Sequence, residues 1–218
     1  RITNLKKYTI PFLIFISVIS FHCGITQPVR VLQEKETRIT SSLGGTLIPL
    51  GILVPAPYLN IGAMYGFSES ITGVANLHFT SLMYGTAGID VGAATSLTKE
   101  QNYIPEITTQ AKLTFFSDIT RKNIFRLYPS LTVNGSYSVG KTLLYFGADN
   151  WYQIHKPLLL ISPFVGSQFD ISDNMFGQVE VKWIGANYYN PHGVFQSAAA
   201  INGYGSVGVY FGIQYQLE

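Results

Sequence analysis

Residues 206 to 217 read Ser-Val-Gly-Val-Tyr-Phe-Gly-Ile-Gln-Tyr-Gln-Leu. Val207, Val209, Phe211, Ile213, Tyr215 and Leu217 fall on one side of an extended chain. Ser206, Gly208, Tyr210, Gly212, Gln214 and Gln216 fall on the other. Successive side chains of a strand point to opposite faces, so this period of two predicts a strand with one apolar and one polar face. Residues 175–185 repeat the pattern, with Val179, Val181 and Trp183 opposing Gln178, Glu180 and Lys182. Each stretch is about ten residues long, the length a tilted strand needs to cross a bilayer.

The same alternation recurs upstream in 58–67, 71–80 and 107–115, and more weakly in 37–48, 87–97, 130–139, 142–151 and 158–170. Pro163, inside the last of these, points to a bulge or a position outside the hydrogen-bonded ladder. No segment offers apolar positions at helical spacing. The count is ten strands, an even number; demoting two weak ones leaves eight. The connections alternate in length. Short turns fall at 67–70, 140–141 and 172–174, and longer loops at 117–127, 150–157 and 186–202. Single-chain outer-membrane barrels have short periplasmic turns and longer outer loops. With the N-terminus inside, 98–105 is the one connection too long for its side. The fold expected is all-β: one antiparallel up-and-down transmembrane β-barrel over 37–218.

Composition decides which face looks outward. Only 12% of residues are charged, against roughly 25% in a soluble domain, while aromatics reach 14%. A soluble ligand-binding barrel turns its polar face to water and carries Lys and Glu there; here that face is mostly Gly, Ser, Thr, Asn and Gln. The apolar face is therefore placed in lipid, with Trp and Tyr near the strand ends as interfacial girdles. This places Arg38, His78, Asp90, Lys112, Glu180 and Lys182 in the lumen. A Lys or Arg on the lipid face at mid-depth costs about 2–4 kcal/mol, so these charges also help to set the register. They are read chiefly as an ion network filling a narrow lumen, and otherwise as a charged constriction on a solute path.

Residues 1–22 have the layout of a secretory signal peptide: Arg1, Lys6 and Lys7, then an uncharged, mostly apolar stretch to Phe21 that is too short to span a bilayer. The single cysteine, Cys23, follows directly, so no intramolecular disulfide can form. Ser20-Phe21-His22-Cys23-Gly24 resembles the lipobox of bacterial lipoproteins, although His22 is larger than the small residue that family prefers. The resemblance implies that Cys23 is the lipidation site. The polar residues that follow, 23–36, are then expected to form a lipid-anchored tether.

No catalytic motif is present: neither Gly-x-Ser-x-Gly, nor His-Glu-x-x-His, nor a phosphate loop. No enzyme activity, cofactor or metal is expected. His22 lies in the leader, and His155 and His192 fall in predicted outer loops. The net charge of +2 without a basic run argues against nucleic acid. The apolar stretch 47–57 holds three prolines and cannot be a regular helix or central strand; it reads as a tight link between lipid-facing strands, or as an exposed patch for a partner.

Taken with the lipobox-like Ser20-Phe21-His22-Cys23 and the hairpin-like stretch Tyr65-Gly66-Phe67-Ser68-Glu69-Ser70-Ile71-Thr72-Gly73, the chain is similar to the class of small bacterial outer-membrane β-barrel proteins with a lipoprotein-type signal peptide. It departs from many of them in ending Leu217-Glu218 rather than on an aromatic residue. The class implies the bacterial outer membrane, contact with membrane lipid, and an outer-membrane or cell-surface protein partner, but no single function. Three readings follow: a structural or partner-binding barrel acting through its outer loops; a porin-like narrow channel or small-solute carrier with a polar lumen; and a soluble periplasmic, lipocalin-like barrel around an apolar ligand.

Overall fold

The computed structural model describes residues 24–49, 52–119, 125–154, 157–189 and 200–217. Eleven strands form: β1 (Thr37–Pro49), β2 (Leu53–Pro55), β3 (Tyr58–Ser68), β4 (Ile71–His78), β5 (Thr86–Thr98), β6 (Glu106–Asp118), β7 (Phe125–Val139), β8 (Thr142–Tyr152), β9 (Leu159–Ser172), β10 (Met175–Tyr189) and β11 (Tyr204–Leu217). Each of β3 to β10 pairs antiparallel with the next, and β1 pairs with both β3 and β11. The closing seam runs from Thr37↔Leu217 to Thr46↔Gly208. The result is a closed ten-strand barrel, with β2 folded back on the outer end of β1 as a short hairpin. The ten-strand count holds over the eight-strand one.

Closure follows from the alternation. Ile39, Leu43, Ile61, Val91, Leu131, Phe146, Val165, Phe211 and Ile213 are all exposed on the outside. Thr72, Thr108, Gln110, Asn134, Ser136, Gln178 and Gln214 are buried within. This inverts a soluble protein, and it overturns the lipocalin-like reading, which required an apolar interior. A bilayer offers no partner to an unpaired strand edge, so a sheet with this exterior has to close.

Three local features depart from expectation. β4 stops at His78 and a short helix, α1 (Phe79–Met83), follows where alternation predicted strand to Thr80. The Thr80 hydroxyl accepts from Leu59 N at 2.7 Å, replacing the ladder bond that a continuing strand would have made. The Pro-rich stretch extends β1 to Pro49 and supplies β2.

The third difference is the largest. The segment expected as a tether, described from Gly24, does not lie outside the barrel but runs up inside it. Lys35, at φ 66°, turns the chain inward. Lys35 N donates to Gly66 O at 2.8 Å and Gly66 N to Glu36 O at 2.9 Å. A Cβ at residue 66 would run into the Gln33 carbonyl, so only glycine admits this turn. Ile25, Val29 and Leu32 are all buried. Residues 1–23, which hold Cys23 and the stretch expected to be a signal peptide, lie outside the described residues.

Candidate functional site

The lumen is built around residues 24–36. Buried backbone groups need partners, and this segment has no adjacent strand. Inward-facing side chains take the place of one. Asn134 Nδ2 donates to Val29 O at 2.8 Å, Gln110 Nε2 to Gln27 O at 2.7 Å and Gln178 Nε2 to Thr26 O at 2.7 Å. Thr72 Oγ1 accepts from Leu32 N at 2.7 Å, and Glu180 Oε2 from Thr26 N at 3.0 Å. Lys182, at the middle of β10, donates to Gly24 O at 3.0 Å, so the segment climbs to about half the barrel's height. Its apolar side chains each find a cluster: Leu32 with Met64 and Val74, Val29 with Tyr145 and Phe164, Ile25 with Tyr58 and Tyr210.

The base of this plug is clamped. Arg30 donates to Ser136 Oγ at 2.8 Å, to Ser138 Oγ at 3.1 Å and to Glu100 at 2.6 Å, and its Nε lies 3.5 Å from Glu106. Glu100 belongs to the 98–105 connection, and this contact accounts for that turn's length. Ser138 donates to Glu100 from its hydroxyl and its backbone, and with the Arg30 guanidinium this pulls the carboxyl down to about 2.

All six charged or polar residues singled out from the sequence point inward. Glu180 and Lys182 are buried, and the Lys182 ammonium lies 3.2 Å from Glu180 and 3.6 Å from Asp149. Tyr145 donates to Glu180 at 3.1 Å. Asp149 accepts from Thr132 at 2.9 Å and from the Trp151 indole at 3.1 Å. Nearer the outer end, Asp90 lies 2.7 Å from His78 Nε2 and 3.8 Å from Lys112. With Nε2–H donating to Asp90, His78 Nδ1 accepts from the Tyr58 hydroxyl at 2.9 Å. Arg38 lies apart near the periplasmic end, 2.6 Å from Glu36, 3.1 Å from Gln214 and 4.0 Å over the Phe176 ring.

Buried charges persist only when paired and hydrogen-bonded, and these are. Both ring nitrogens of His78 are engaged, so it holds the wall together at this point. Among the described residues no group of three or more His, Cys, Asp or Glu side chains could hold a metal. Cys23, His155 and His192 are outside the described residues.

Sequence reasoning missed Asp149, Arg30, Glu100 and Glu106. Asp149 sits on the inward face of the alternating stretch 142–151 and could have been read there beside Trp151. Arg30 carried no signal, because the plug has neither strand nor helix period.

A closed, even-stranded barrel with an apolar exterior and a lumen of paired charges defines a small outer-membrane β-barrel, and its place is the bacterial outer membrane. Solved barrels resemble it in strand arrangement. The translocator domain of the autotransporter NalP from Neisseria meningitidis matches at 12% identity and TM-score 0.39, covering 98% of this chain and 96% of that one. The outer membrane protein OprG from Pseudomonas aeruginosa matches at 9% identity and TM-score 0.34, covering 86% and 98%. A mutant of Rh. blastica porin matches at 12% identity and TM-score 0.30, and the match covers 73% of this chain but 44% of that longer one. These likenesses concern barrel form alone. No protein-family model and no curated protein matches the chain.

Proposed function

We propose that this protein is a plugged, non-enzymatic barrel whose work is done at its outer surface, where it contacts a cell-surface or outer-membrane protein. The observation that carries the reading is the occupied lumen: residues 24–36 fill the periplasmic half and are bonded to the wall at successive heights. The outer rim supports it, with Ile154 at 87% exposure and Leu53, Tyr152 and Tyr189 each more than half exposed. Lipid attachment at Cys23, which rests on the lipobox-like Ser20-Phe21-His22-Cys23, is a separate reading, because Gly24 beside it is bonded to Lys182 inside the lumen and an anchored Cys23 would have to draw it out. Mass spectrometry of the N-terminal peptide decides between them: a diacylglyceryl adduct favours the anchor, and a free thiol on the mature protein favours the plug.

The main test is twofold. Intact protein reconstituted in planar bilayers is expected to pass no steady current. Trimming residues 190–199, which leaves β10 whole, is expected to abolish the complex captured by crosslinking on intact cells. Steady conductance by the intact barrel would favour the second reading, a narrow solute path lined by Lys112 and Lys182; replacing either by Ala would then alter the current.

A further inference from the structure

The first two outer connections differ in chemistry from the rest of the rim. Between Ile39 and Ile89 the only Asp, Glu, Lys or Arg is Glu69, which lies in a periplasmic turn. The β1–β2–β3 connection and the α1 connection between β4 and β5 therefore carry no such charge. Further round the barrel, 117–127 holds Asp118, Arg121, Lys122 and Arg126, and 150–157 holds His155 and Lys156. Among the described residues of 52–57, those exposed are Ile52, Leu53 and Pro57; in 79–85 they are Phe79, Leu82, Met83 and Tyr84. Ile52 and Met83 are each 74% exposed. The polar side chains of α1 turn the other way. Ser81 is buried and its hydroxyl donates to His78 O at 2.8 Å, and Thr80 is engaged with Leu59 N.

The backbone of both connections is provided for without water. β2 pairs with β1 from Leu47↔Pro55 to Pro49↔Leu53, and Ala56 N donates to Thr46 O at 2.8 Å. Pro49, Pro55 and Pro57 have no N–H to place. In the other connection Tyr84 N donates to Ser81 O at 3.1 Å and Gly85 N to Leu82 O at 3.0 Å, while Gly85 O accepts from Ile119 N at 2.8 Å. A loop in water can leave such groups to the solvent; a segment in lipid has to pair them internally, as a hairpin and a helical turn do. Both connections also continue the lipid face directly. Leu43, Ile61, Leu77 and Ile89, on the strands beneath them, are exposed on the outside of the barrel. Counted from Arg38, Pro49 stands about 28 Å up the barrel, at about 3.3 Å per residue and a tilt of about 40°, where an apolar band of about 25 Å has just ended. The band's own height therefore does not account for the apolar residues beyond it.

We infer that residues 52–57 and 79–85 form a membrane-binding surface immersed in the outer leaflet, with Leu53 and Met83 among lipid acyl chains just below the headgroups, so that only the rim from β6 to β11 stands in the external water. Tyr84 has the amphipathic ring that suits the headgroup level. The inference goes beyond the partner contact proposed above by dividing the rim: Leu53 faces lipid, and Tyr152, Ile154 and Tyr189 remain for a protein.

The test uses the full-length protein in a Cys23→Ser background, with a nitroxide on one added cysteine: L53C, M83C or, as the water-facing control at the mouth of β7, R126C. Each is reconstituted in vesicles of phosphatidylethanolamine and phosphatidylglycerol. Collisions of the nitroxide with oxygen, which concentrates in hydrocarbon, and with a water-soluble nickel chelate are read by electron paramagnetic resonance. At 53 and 83 the nickel collisions seen at 126 are expected to be lost while oxygen collisions persist. Nickel collisions at either position equal to those at 126 would place that connection in water and overturn the inference. Loss of both kinds of collision would mean that protein covers the surface, a second copy of this chain in such vesicles, and would overturn it as well. Heat-modifiable migration shows that each labelled variant is folded, and the partner reading is unaffected by any of these outcomes because it is tested on 190–199.

Discussion

Lys182 is where the energetics of the lumen concentrate. Its ammonium touches Glu180, Asp149 and the Gly24 carbonyl, and the side chain is almost wholly buried. Replacing one partner of a buried network leaves the others charged without compensation, at a cost of about 3–5 kcal/mol. Lys182→Met keeps the volume and removes the charge. It is expected to lower the unfolding free energy read by urea titration in lipid by that amount, and a value within error of the native one would contradict the network's importance. Glu100 makes a different prediction because it lies outside the membrane span. Its folded-state value of about 2 lies below its ordinary 4.5, so what it contributes is present above pH 4.5 and fades as pH falls towards 2. The protection factors of amides 29–33 should hold from pH 7 to about pH 4.5 and fall towards pH 2. Glu100→Gln should show the lower protection above pH 4.5, with the difference closing towards pH 2.

At the scale of elements, the plug and the wall were built for each other. Gly66 on β3 lets the chain turn beneath the sheet, and Val at this position has nowhere to put its branches. G66V is expected to dislodge the turn at 33–36, read as faster proteolysis of residues 24–36 while the barrel itself stays resistant. Deleting 24–36 removes the backbone acceptors for Gln110, Asn134 and Gln178, and water replaces them. The deletion variant is expected to conduct in planar bilayers where the intact protein is silent. Silence in both would show that the outer half of the lumen is closed without the plug.

The whole molecule behaves as one closed surface. Its apolar exterior has to be matched by lipid or detergent, and the sheet closes through the β1–β11 pairing. The native protein is expected in the membrane fraction and to migrate differently on a gel before and after boiling. Recovery from the soluble fraction without detergent, with no such shift, would contradict the outward apolar face.

Alternation in stretches such as 206–217 and 175–185 determined, by sequence alone, that the chain forms strands, and the scarcity of charge determined which face meets lipid. Lys182 and Glu180 could be placed in the lumen from period two, because a strand's geometry ties each residue's face to its position. Even the strand number was nearly legible, since turns interrupt the pattern at regular spacing. Only the tertiary structure decided what the lumen contains. The residues 24–36 have no period, because their backbone is held by scattered side chains of β4, β6, β7 and β10 that lie 40 to 158 positions away. The end of the β9–β10 ladder at Lys182↔Phe164 likewise depends on which strand lies opposite, because the missing N–H of Pro163 and the turned backbone at Gly185 meet only when the barrel closes.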